Sequence, residues 1–134
     1  MSNIILFFVT LPLLLVIDIL WIGVVANKFY REQLGVLFAP SVNWPAAILF
    51  YAIYAAAIVF FVLMPALARQ SLLYAVLVGA FLGLVAYATY DLTNLAVIKD
   101  WPLVMSIADI AWGAFMTAMV SGAAFLIATS FLGR

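Results

Sequence analysis

The sequence has no cysteine and no histidine, and its 134 residues include only five basic and five acidic side chains. Without cysteine there is no disulfide, no thiolate nucleophile and no zinc–thiolate cluster. Without histidine the commonest haem ligand, metal ligand and general base are all missing, so no haem is expected. Charged residues make up 7% of the chain, far below the roughly one quarter that a soluble surface carries. Their balance gives zero net charge. That excludes the basic stripe of a nucleic-acid binder and a polybasic lipid anchor, so no nucleic-acid partner is expected. No glycine-rich phosphate loop, nucleophile elbow or Glu-x-x-His motif occurs.

What fills the chain is apolar, at 71% of residues, and it comes in long blocks. A helix needs about 20 mostly apolar residues to cross a bilayer. Four segments meet that length, at about 4–26, 44–67, 72–98 and 102–131. The expected fold is therefore all-α, a single domain forming a four-transmembrane-helix antiparallel bundle, because short connections make neighbouring helices antiparallel. The first block runs to Asp18 with no small-x-small cleavage site, so it reads as a retained helix. Pro12 predicts a mild kink in it. Pro45 and Pro102 fall at helix starts, with Asn43 and Asp100 placed as N-caps. Residues 28–38 carry Tyr30, Leu34, Leu37 and Phe38 at helical spacing, consistent either with a short interfacial helix or with a plain loop. The repeated Asn43-Trp44-Pro45 and Asp100-Trp101-Pro102 hint at duplicated hairpins, although Trp-Pro is also good interface chemistry. Positive-inside counting sets Lys28, Arg31 and Lys99 against Arg69 and Arg134. It favours the first group's face as cytoplasmic by one charge, which leaves orientation and dual insertion open.

Three aspartates, Asp18, Asp91 and Asp109, lie inside these spans. An ionised carboxylate at the bilayer centre costs roughly 3 kcal/mol on insertion scales. Counted from Lys28 and Lys99, all three lie about 12–15 Å from one membrane face at 1.5 Å rise per residue. Gly79, Gly83, Tyr87 and Asp91 follow each other at intervals of four and form one ridge, so Asp91 is expected to point into the bundle. Ala114, Ala118 and Gly122 form a second small-residue ridge. Trp21, Trp112, Tyr87 and Asn94 are placed to donate hydrogen bonds to the acids, and Tyr51 and Tyr54 fall near the same level. No lysine or arginine lies within the spans, so the acids must share protons, bind a cation or hold a cationic or polyhydroxyl ligand. Asp18, Asp91 and Asp109 are thus candidate ligands of a divalent cation, since oxygen sets suit hard ions. The bland reading makes the same residues helix glue.

The stretch Tyr87-Ala88-Thr89-Tyr90-Asp91-Leu92-Thr93-Asn94-Leu95-Ala96, then Lys99-Asp100-Trp101-Pro102, then Asp109-Ile110-Ala111-Trp112-Gly113, together with Asp18-x-x-Trp21, resembles a bacterial family of predicted membrane proteins known as domain of unknown function 2177. The resemblance implies a four-helix bacterial membrane protein and assigns no activity; with the long apolar helices, a multi-pass protein of the bacterial inner membrane is expected. On the residues themselves, binding or transport of a proton, metal cation or small cationic solute leads. An enzyme acting on a lipid or isoprenoid, with the acids as general acid and base, is the less favoured alternative. An accessory membrane subunit is the third. Membrane lipids are the expected surroundings, and a homo-oligomer would give so small a bundle a gated path.

Overall fold

The computed structural model describes residues 2–37 and 41–133, so Phe38 and Arg134 lie outside the described residues. Among those residues it is all-helical, with no strand. Four helices are long and apolar enough to cross a membrane: a first span Asn3–Val25, a second Trp44–Ala68, a third Leu72–Val97 and a fourth Leu103–Phe131. Each lies within one or two residues of its expected position. A short connecting helix, Asn27–Leu34, follows the first span and tightens into a 3₁₀ turn at Gly35–Leu37. It buries Tyr30 and leaves Leu37 exposed, so only part of the expected apolar face is used.

The helix starts follow from local chemistry. Ser2, Asn43 and Ser71 accept hydrogen bonds from the backbone N–H groups of Ile5, Ala46 and Tyr74, which satisfies donors that a helix leaves free at its N-terminus. Asp100 is not the fourth cap. It adopts a φ of +61° in the turn, a conformation that aspartate tolerates, and the helix begins at Leu103, with Pro102 in the cap position and no side-chain cap. The two Trp-Pro pairs also differ. Trp44 is exposed, whereas the Trp101 indole N–H donates to Ser106 Oγ at 2.8 Å.

Two spans contain a widened π turn, at Trp21–Val25 and at Ile58–Leu63. The second lies directly before Pro65, whose ring clashes with the carbonyl four residues back in a regular α-helix. The first lets the Ala26 N–H reach the Trp21 carbonyl as the chain turns into the connecting helix.

The core runs along the second and fourth spans, with Ile58, Val62, Leu63, Ala66, Met116, Val120 and Ala124 buried together with Leu6 and Leu14 of the first. Outward residues are apolar as well: Ile4, Phe8, Val16, Phe60, Phe61, Phe81 and Phe115 are all exposed. A surface of large apolar side chains is unfavourable in water and natural in lipid.

The third and fourth spans form the closest pair and run antiparallel. Gly79 lies against Ser121, Gly83 against Gly113 and Thr117, and the ring of Tyr87 against Gly113. The sequence-derived ridge of Gly79 and Gly83 thus does face a helix. Its partner row is Gly113, Thr117 and Ser121, and not Ala114, Ala118 and Gly122. A shift of one residue rotates a helical row by about 100°, which leaves Ala114 and Ala118 half-buried while Gly122 packs beside Val76.

Candidate functional site: carboxyls joined by aromatic donors

Asp18 ends a row of buried residues, Leu6, Thr10, Leu14 and Asp18, spaced four apart along the first span. The regular spacing that buries two leucines turns this carboxylate inward as well, to 8% exposure. Two side chains from other spans satisfy it. The Tyr51 hydroxyl donates to Oδ2, and the Trp112 indole N–H donates to Oδ1 at 3.1 Å. Below it, Tyr54 and Thr117 exchange a hydroxyl hydrogen bond of 2.6 Å inside the core.

The indole of Trp112 stacks on that of Trp21, with centroids 4.3 Å apart and planes inclined by 7°. Trp21 does not reach an acid directly. Its N–H donates to the Tyr30 hydroxyl at 3.1 Å, and Tyr30 donates in turn to Asp109 Oδ1 at 2.7 Å. The chain Trp21–Tyr30–Asp109 therefore ties the first span and the connecting helix to the fourth span.

Asp91 of the third span is completely buried and lies against Asp109, in reach of a carboxyl–carboxyl hydrogen bond. As two carboxylates they have no proton to exchange, and both oxygens of Asp91 are without a protein partner. The antiparallel register that brings Gly83 to Gly113 and Thr117 brings this pair together a few turns further on.

The three expected acids thus all turn inward, but they occupy two stations. Asp91 and Asp109 form a pair, and Asp18 is linked to it through the Trp112–Trp21–Tyr30 aromatic bridge. Among the described residues no group of three or more acidic side chains could hold a metal ion. Asp18, Asp91 and Asp109 therefore do not form one three-carboxylate cation site. Of the expected donors, Trp112 bonds Asp18 directly and Trp21 acts through Tyr30. Tyr87 packs on Gly113 and meets Tyr54 edge-on at 6.3 Å, with no hydrogen bond to an acid. Asn94 lies near Tyr90 and makes no hydrogen bond to an acid among the described residues.

Sequence reasoning missed Tyr30, which reads there as one apolar position of an interfacial helix. The available signal is its spacing: Ala26 and Tyr30 are four apart and both buried, on the side of the connecting helix that faces the bundle. Burial, reinforced by the neighbouring Asp109 and opposed by the Trp21 hydrogen bond, holds the Tyr30 phenol well above its ordinary value of 10.0. Below that value the folded and unfolded chains both keep the proton. Above it the unfolded chain loses the proton first, so stability must fall as pH rises beyond about 10. Thermal unfolding in detergent should show no Tyr30-dependent change from about pH 7 to 9 and a loss above about 10. That loss should be smaller in Tyr30→Phe, and equal alkaline losses in the two proteins would show that Tyr30 is not held as described.

Beside Asp109 is a cavity of about 270 Å³ lined by Phe50, Ala86, Tyr87, Tyr90 and Asp109. Phe50 and Tyr90 are each about half exposed, so its mouth opens toward the lipid-facing side of the bundle.

The profile of a family of predicted membrane proteins, domain of unknown function 2177, matches residues 3–126. No curated protein matches the chain, and no solved structure does.

Proposed function

Since the chain belongs to this family of predicted membrane proteins over nearly its whole length, we propose that it is a multi-pass protein of the bacterial inner membrane that binds a proton or small cation at Asp91–Asp109, as a transport protein does. The observation that carries this reading is the state of Asp91: fully buried, beside a second carboxyl, with neither oxygen partnered by the protein. Two adjacent carboxylates in a low dielectric cannot both stay ionised and unneutralised. No lysine, arginine or histidine lies within the four spans. Protons would let one carboxyl donate to the other and neutralise the pair, and a bound monovalent cation would take the place of one of them. A path for the bound species through so small a bundle would call for a second copy of the chain, with membrane lipid around both.

Infrared difference spectroscopy on protein in lipid tests this reading. A protonated-carboxyl C=O band should be present at neutral pH and respond to pH. It should be lost or shifted in both Asp91→Asn and Asp109→Asn, and little altered in Asp18→Asn. Absence of any such band, or a band that depends on Asp18 alone, would refute the pair as the binding centre.

A further inference from the structure

We propose that the cavity beside Asp109 binds a small lipophilic organic ammonium ion, taken up in exchange for one proton of the Asp91–Asp109 pair. This deepens the reading above and rests on the pair carrying protons.

The lining sets the chemistry. Phe50, Tyr87 and Tyr90 present three aromatic rings, and Asp109 places a carboxyl in the same wall. Aromatic faces attract alkylammonium groups, most strongly where water is excluded, and a carboxylate supplies the counter-charge. The Tyr30 hydroxyl on Oδ1 fixes that carboxyl in place. A hydrated metal ion would gain little from the rings. A neutral acyl chain would leave the Asp109 carboxylate desolvated without a counter-charge. Size narrows the class further. A cavity of about 150 Å³ holds benzene, so one of about 270 Å³ admits roughly ten non-hydrogen atoms. The mouth opens beside exposed Phe50 and Tyr90, which suits a ligand that partitions into the membrane.

Charge balance sets the exchange. With both carboxyls protonated the empty pair is neutral. A monocation would leave the site positive unless one proton departs. One proton of the pair leaves to bulk water, and the Asp109 carboxylate meets the cation. Asp91 keeps its own proton and donates it to Asp109, which gives a partner to one of its oxygens. The loaded site is again neutral.

Full-length protein in detergent can be titrated by calorimetry with benzyltrimethylammonium and with its neutral isostere neopentylbenzene, in two buffers of different ionisation enthalpy. The cation should bind with release of about one proton, and the isostere at least about 30-fold more weakly, as expected when a buried charge pair loses one partner. Asp109→Asn should weaken cation binding at least about 30-fold, and Tyr90→Leu about 2- to 30-fold. Thermal unfolding of each variant separates lost binding from lost fold. Equal binding of the isostere, or cation binding without proton release, would overturn the proposal. So would no cation binding by a protein whose carboxyl infrared band is intact, while leaving the proton site standing. Loss of the band as well would remove both.

Discussion

Replacing Gly83 by leucine is expected to cost about 3 kcal/mol or more of stability in detergent, at the upper end for overpacked cores. The reason is the nature of the neighbour. A side chain at Gly83 would run into the carbonyl group of Gly113, with Thr117 Oγ1 only 2.7 Å from the first added carbon. A carbonyl in the middle of a helix cannot rotate aside as a side chain can, so the third and fourth spans must separate. Separation would also pull Asp91 from Asp109, since both pairs lie on one register. Gly83→Ala should already be destabilising. Gly23, which has nothing within 4 Å of an added carbon, supplies the control: Gly23→Ala should be near neutral. Thermal unfolding of the three variants measures this. Similar stability for Gly83→Leu and Gly23→Ala would mean that the spans do not pack along this row.

Trp112→Leu should have the second largest effect, about 2–4 kcal/mol, from two losses. One is the hydrogen bond to a carboxylate that is 8% exposed, and the other is the stack on Trp21. Leaving a buried acceptor short costs about 1–3 kcal/mol, and an aromatic pair contributes about 0.5–1.5 kcal/mol. Tyr51→Phe removes the other donor to Asp18 and no stack, so it should cost less. The two changes should be non-additive by about 0.5 kcal/mol or more, because they strip the same carboxylate. In an Asp18→Asn background Trp112→Leu should cost less, the amide being a weaker acceptor than a carboxylate. Strict additivity, with no dependence on Asp18, would show that Trp112 acts by packing alone.

Much of this arrangement is legible in the sequence, because lipid imposes simple rules. Backbone polar groups must be satisfied within each helix, so four apolar blocks of sufficient length specify four spans. The interval of four from Gly79 through Asp91 specifies one inward face of the third span, and Gly79 and Gly83 do meet the fourth. The facing row is less legible. Gly113, Thr117 and Ser121 mix a glycine with two hydroxyl residues, whereas Ala114, Ala118 and Gly122 look like the cleaner small-residue ridge. Hydropathy alone does not separate two rows a residue apart.

Counting residues from the connections places three acids near one level. Which acids meet is decided by how the helices pack around one another, which a single-helix pattern does not encode. Hence the three-carboxylate centre resolves into the pair Asp91–Asp109 and a separately satisfied Asp18. Tyr30 escapes for a similar reason. It lies outside every apolar block, on a helix that folds back against the bundle, and only tertiary packing turns its hydroxyl onto Asp109.

The proton-sharing pair at Asp91 and Asp109 is most directly tested by solid-state NMR of the aspartate carboxyl carbons in lipid bilayers, assigned with the three single Asp→Asn variants. At neutral pH the account predicts at least one protonated carboxyl within the pair, a through-space contact between the two carboxyl carbons, and a change in each signal when the other residue is replaced. All three aspartates at ionised shifts, with no contact between Asp91 and Asp109, would contradict it.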